Sequence, residues 1–319
     1  MKKLVAAMAA ASLLVLAACG DDDAAGEKSS EKVSFGYIAD YNGTSLLAIA
    51  QDQKLWAEQG LEVSTKVFTN GPLQVTAMNA GDLDYGYIGP GAVWLPASGK
   101  AKIVSLNSLG NADRVIAQAG ITDLSQLKGK KIGVPEGTSG DMILTLALRK
   151  AGLKNTDVRR VPMDPATIVS AFGAGQIDAA GIWYPLLNTI KAKKPDLVEL
   201  ARNEDFAGQV AFPTAFVSGT VVPAAKTGKV TQVLREAMDW RAAHPDETVK
   251  LVAAMNKQTV EAVTADAANS KMLDTKTLDG YVADGTVQKW LSGMGDYFVG
   301  AGKLPSNPDP ATYYLGFTK

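Results

Sequence analysis

An internal repeat limits how this chain can fold more than any other feature: one order of strands, helices and turns occurs twice, about 94 residues apart. In the first copy, Val33 to Ile38 alternates as a strand. Leu46 to Gln59 has helical spacing, with Leu46, Leu47, Ala50 and Trp56 near one face, and Gly60 stops it. Leu61 to Phe68 is a second strand, Pro72 opens a helix that Gly81 ends, and Leu83 to Ile88 is a third strand. In the second copy, Lys131 to Val134 is a strand and Asp141 to Ala151 a helix stopped by Gly152. Val158 to Pro162 follows as a strand, Asp164-Pro165 opens a helix, and Asp178 to Trp183 is the last strand.

The punctuation lines up as well. Gly43-Thr44-Ser45 matches Gly137-Thr138-Ser139, Gly60-Leu61 matches Gly152-Leu153, and Pro72 matches Pro165. Ala80-Gly81-Asp82-Leu83-Asp84 matches Ala174-Gly175-Gln176-Ile177-Asp178, and Gly89-Pro90 matches Tyr184-Pro185. The separations stay between 92 and 95 residues. Glycine and proline mark turns in any α/β chain, but five pairs in one order specify a duplicated βαβαβ unit. The expected fold is therefore α/β with two lobes, each a mostly parallel sheet flanked by helices. Ligands in such sheets sit beyond the carboxyl ends of the strands, so two facing lobes share one cleft that a hinge can close. We place the first lobe at residues 33–115 and 219–319 and the second at 116–218, with crossings along Arg114 to Gln118 and Phe212 to Val222. Helices at Val230 to Ala243 and Val249 to Val263, broken at His244-Pro245, and turns through Val282 to Val299 complete the first lobe.

The amino terminus is an address. Lys2 and Lys3 precede an uncharged run from Leu4 to Ala18, and Leu16-Ala17-Ala18-Cys19 is a cleavage pattern with cysteine at the cut. Residues 1–18 thus read as a lipoprotein signal peptide, Cys19 as the lipid attachment and 19–32 as a polar tether. The apolar run falls short of the roughly 20 residues that span a bilayer. Without Lys2 and Lys3 the chain keeps 30 basic against 33 acidic residues, which argues against a nucleic-acid partner. Cys19 is the only cysteine, so disulfides, a thiolate nucleophile and a cysteine zinc site are excluded. His244, the sole histidine, stands in a helix break, and no His/Cys/Asp cluster has metal-ligand spacing. No enzyme, no metal and no cofactor is expected.

The candidate ligand residues cluster after strands. Thr44, Ser45, Thr138 and Ser139 stand where Thr and Ser cap helices; the same position also offers unpaired N–H groups, hydroxyl donors and the positive helix end to an anion. No Lys follows either turn, so neither is a P-loop. Glu136 and Asp141 flank the second turn and would tolerate a bound anion only if the ligand also carried a cation, as an amino-sulfonate does. Tyr41, Trp94, Trp183 and Tyr184 fall at strand ends or in the loops after them, where aromatics either pack or wall a cleft. Trp56, Trp240 and Trp290 read as packing.

Leu127 to Ser139 (LKGKKIGVPEGTS), Phe172 to Ala179 running into Ile182-Trp183, and Met78 to Gly86 (MNAGDLDYG) resemble the nitrate/sulfonate/taurine type of ABC-transporter substrate-binding proteins. The resemblance spans essentially the whole chain. It implies the type II periplasmic-binding-protein-like fold, with Thr44, Ser45, Gly89, Thr138, Ser139 and Trp183 lining the ligand site. It also implies partners: a permease, an ATPase and a small, anionic solute such as an aliphatic sulfonate, bound by a monomer outside the cytoplasm. Many relatives carry Asp after this Trp, where Tyr184 stands here, which leaves room for a flatter solute. A pyrimidine or thiamine-precursor binder is the alternative; an enzyme on the same fold, or a surface lipoprotein that contacts proteins, stands behind it.

Overall fold

The computed structural model describes residues 30–317. Cys19, the signal segment and most of the tether lie outside them. Eleven strands lie in the described residues: β1 (Glu31–Tyr37), β2 (Leu61–Val67), β3 (Tyr85–Ile88), β4 (Lys102–Gly110), β5 (Asp113–Ala117), β6 (Lys131–Val134), β7 (Arg159–Pro162), β8 (Ala179–Trp183), β9 (Val198–Arg202), β10 (Pro213–Ser218) and β11 (Ser270–Met272). They form a six-stranded sheet ordered β11-β4-β10-β3-β1-β2 and a five-stranded sheet ordered β7-β6-β8-β5-β9.

The duplicated unit is visible in those orders. β2-β1-β3 and β7-β6-β8 are the same parallel triplet, built from the same strand–helix–strand connections. Each triplet then takes an antiparallel neighbour in the same place, β10 beside β3 and β5 beside β8. Both sheets are therefore mixed, because each one borrows a strand that runs against its parallel triplet. The crossings also sit closer to the sheets than the sequence suggests. β5 belongs wholly to the second sheet and β10 wholly to the first, so the chain crosses at 111–112 and again just before Pro213.

Side-chain alternation on central strands explains the cores. In the first sheet, Phe35 stacks on Tyr85 with ring centroids 5.6 Å apart and meets the edge of Phe216 at 5.7 Å. Val230, Leu234, Leu291, Met294 and Phe298, from the late helices, join that same core, as the sequence predicts. In the second sheet, Val115 and Ile116 point to opposite faces, and each face has its own cluster. Both faces are therefore covered by helices.

Helix limits depart from expectation where residues take positive φ. The first helix runs Tyr41–Asp52, then Lys54 at φ 59° interrupts it before a short turn Leu55–Glu58. The segment expected at 249–263 is two helices, Pro245–Asn256 and Val260–Ala267, parted at Lys257 with φ 54°.

Candidate functional site

A cavity lies where the two sheets meet, with about 510 Å³ of space not filled by atoms and partly open to solvent. Residues of both sheets line it. Five of the expected site residues are among them: Gly89 from the first sheet's side, and Thr138, Ser139, Trp183 and Tyr184 from the second. Tyr41, Thr44, Ser45 and Trp94 do not line it.

The first strand-to-helix turn explains three of those four. Its helix begins at Tyr41, not Leu46, because Asp40 caps it: the extended Asp40 backbone directs Oδ1 to accept the Gly43 N–H at 2.7 Å. Gly43, Thr44 and Ser45 therefore fall inside the first helical turn and face the protein. Thr44 donates to Asn256 Oδ1 at 3.1 Å, and Ser45 Oγ accepts from the buried Arg241 at 2.9 Å. The Tyr41 N–H donates to Asp266 Oδ2 at 2.7 Å, while its ring packs with Val252 and Val263. Two carboxylates thus occupy the helix end that was expected to hold an anion. Asp40 itself turns to the cavity.

The second turn is built differently. Gly137 takes φ 72°, Thr138 is the N-cap, and the helix Ser139–Lys150 starts at the cavity wall. Thr138 makes no side-chain cap; its hydroxyl donates to the Pro135 carbonyl at 2.6 Å. Asp141 takes over part of the capping by accepting the Gly137 N–H at 2.8 Å, and it pairs with Arg160 and with Lys303 at 3.4 Å. Trp94 lies outside the cavity as a brace, donating from Nε1 to the Gly137 carbonyl at 3.1 Å. Gly91 packs so closely on this turn that a methyl group there would collide with the Thr138 backbone carbonyl.

A second helix start also reaches the cavity. Gly71–Ala80 begins at Asn70, whose side chain accepts the Leu73 N–H at 3.0 Å, and both Asn70 and Gly71 line the space. Aromatic walls come from Tyr87, Trp183 and Tyr184. The Tyr184 hydroxyl accepts from Lys191 at 3.0 Å, and the Arg114 guanidinium lies 5.4 Å from its ring centroid.

The sequence reading missed Asp40, Asn42, Tyr87 and Asp113. Asp40 carried a signal, since it stands between a strand and a helix as a preferred cap. Asp113 carried none: antiparallel pairing of β5 with β8 sets it opposite Trp183. Its carboxylate accepts from Asn203 Nδ2 at 2.9 Å, and the nearby Ser139 hydroxyl favours its charged form. Burial pushes the Asp113 carboxyl above its ordinary range. Burial, reinforced by the Asp266 charge, raises Asp40 well above it, and burial brings Asp266 up to about 6. Among the described residues no His or Cys lines the space, and no group of three His, Cys, Asp or Glu could hold a metal. The chemistry on offer is recognition by charge, hydrogen bonds and aromatic faces.

A family model described as NMT1/THI5 like matches residues 43–248. A protein of Brucella abortus (strain 2308) whose name gives it as a binding protein is 54% identical over 286 residues, 89% of this chain and 90% of that one. The taurine-binding periplasmic protein of Escherichia coli (strain K12) is 30% identical over 147 residues, 45% of this chain and 46% of its own. Among solved structures, the alkanesulfonate-binding protein SsuA from Xanthomonas axonopodis pv. citri bound to MOPS superposes with a TM-score of 0.68 at 22% identity, covering 89% of this chain and 98% of that one.

Proposed function

Because this chain belongs to the NMT1/THI5-like family, we propose that it is the solute-binding component of an ABC importer, capturing a small organic solute of the aliphatic sulfonate class. The observation that carries this reading is the cavity walled by both sheets, with two helix starts and three aromatic rings around it. Relatives named for taurine and alkanesulfonate support the solute class. The helix start at Ser139, with the single Gly71 N–H ahead of Pro72 opposite it, is where a sulfonate oxygen would find backbone N–H groups, and Trp183, Tyr184 and Tyr87 would flank its carbon chain.

On this reading the six-stranded and five-stranded sheets head two lobes. We place their limits at about 112 and 212 in preference to the expected 115/116 and 218/219, because the strands on either side of those points pair in different sheets. The protein works outside the cytoplasm as a monomer, held to a membrane through Cys19, and hands its solute to a permease and an ATPase.

Native mass spectrometry of freshly purified protein tests this. One small organic molecule per chain, released unchanged on denaturation, is the expected result. A chain that carries nothing and binds no member of a sulfonate and heterocycle panel would refute it. Conversion of a captured solute would move the assignment to an enzyme on this fold.

A further inference from the structure

Among the described residues, Asp40 and Asp113 are the only acidic or basic side chains lining the cavity; no Lys, Arg or His joins them. They approach from different elements, Asp40 from the cap of the first helix and Asp113 from the start of β5. Both are buried, at 7% and 3% exposure, so solvent screens them poorly. Their surroundings turn the expected preference around. Of the hydroxyls thought to hold an anion, Thr138 already donates to the Pro135 carbonyl, and Ser139 stands beside the Asp113 carboxyl. At the first helix start, Asp40 itself takes the Gly43 N–H that an anion would need.

A solute that is only an anion finds no cation in the wall and adds to the burial that already disfavours the charged form of both carboxyls. A cationic nitrogen, or a group rich in N–H donors, would instead satisfy them through charge-assisted bonds. The faces of Tyr87 and Trp183 suit the same charge. We propose that Asp40 and Asp113 are specificity-determining residues that select a solute presenting a cationic or N–H-donating nitrogen, and that they reject otherwise similar solutes without one. This rests on the cavity being the solute site.

Titration calorimetry of the full chain with two matched probe pairs tests it: taurine against ethanesulfonate, and 4-amino-2-methylpyrimidine against 2,4-dimethylpyrimidine. In at least one pair the amine is expected to bind tenfold or more tightly than its partner. Asp113→Asn, which keeps the shape and the Asn203 contact, is expected to bring that ratio within twofold. Ethanesulfonate binding as tightly as taurine, with no selectivity in the pyrimidine pair, would overturn the inference and leave the sulfonate reading intact. Selectivity in the pyrimidine pair with neither sulfonate bound would uphold the inference and overturn the sulfonate class. No binding of any probe would overturn both, and an unchanged ratio in a folded Asp113→Asn would remove Asp113 from the selection.

Discussion

The two strand-to-helix turns share three letters, Gly-Thr-Ser, and use them in opposite ways. At 43–45 those residues sit one turn inside a helix that Asp40 starts early, and their hydroxyls meet Asn256 and Arg241 in the interior. At 137–139 they are the turn itself, with Thr138 as the cap and Ser139 at the cavity wall. Matching letters did not give matching phase. A helix begins where a side chain can accept its first N–H groups, so the residue before the motif decides which way the motif faces. One consequence is electrostatic: the first turn presents a carboxylate to the solute space, and the second presents a hydroxyl and a helix start.

Substitutions can break this contrast, and the largest effect is expected at Gly91. A Gly91→Val side chain would strike the Thr138 carbonyl and prop the second turn away from the first sheet. Solute affinity should fall at least a hundredfold, roughly 3 kcal/mol, by calorimetry, with the fold retained by circular dichroism. An affinity within threefold of the parent would mean that the turn does not close against this segment.

Next comes the carboxylate behind the first turn. Asp266 titrates at about 6 because it is buried, above its unfolded value, so the native state holds a proton that the unfolded chain releases. That contribution to stability is full below the unfolded value and is lost as pH rises through about 6. Asp266→Asn should therefore stabilise the protein at pH 8 by on the order of 2 kcal/mol relative to its effect at pH 4. Denaturant melts at both pH values check this, and a pH-independent difference would contradict the assignment.

The serines sharpen the contrast directly. Ser45→Ala should leave solute affinity within twofold while costing about 1–3 kcal/mol of stability, because Arg241 loses an acceptor. Ser139→Ala should do the reverse, weakening the solute about tenfold with little change in melting temperature. Equal effects from the two would erase the distinction between the turns. The smallest change is expected for Thr138→Ala, about 1 kcal/mol of stability from one bond to Pro135.

Much of the fold was legible because its signals are local. Alternation placed β1, β6 and β8 within two residues of their ends, and Gly81 and Gly152 ended helices at positive φ as read. The repeat gave the matching triplets. The antiparallel additions were not legible, since β10 pairs with a strand about 130 residues before it and β5 with one about 65 residues after it. The site divided in the same way. Gly89, Thr138, Ser139, Trp183 and Tyr184 stand at strand ends or just after them, and all five line the cavity. Asp113 reaches the cavity only through its pairing opposite Trp183, which no short pattern encodes. Tyr41, Thr44 and Ser45 failed for a smaller reason: a cap at Asp40 shifted the helix start by five residues from the expected Leu46.

The central claim is that the solute sits between the sheets, touched by the second turn and by Asp40 but not by Thr44 or Ser45. A crystal structure of the protein with its retained or added solute tests that most directly. The account predicts density bounded by Asp40, Asp113, Gly89 and Trp183, with Ser45 still bonded to Arg241. Density in the open groove beside Trp290 and Phe212, or a solute held by the Thr44 and Ser45 hydroxyls, would contradict it.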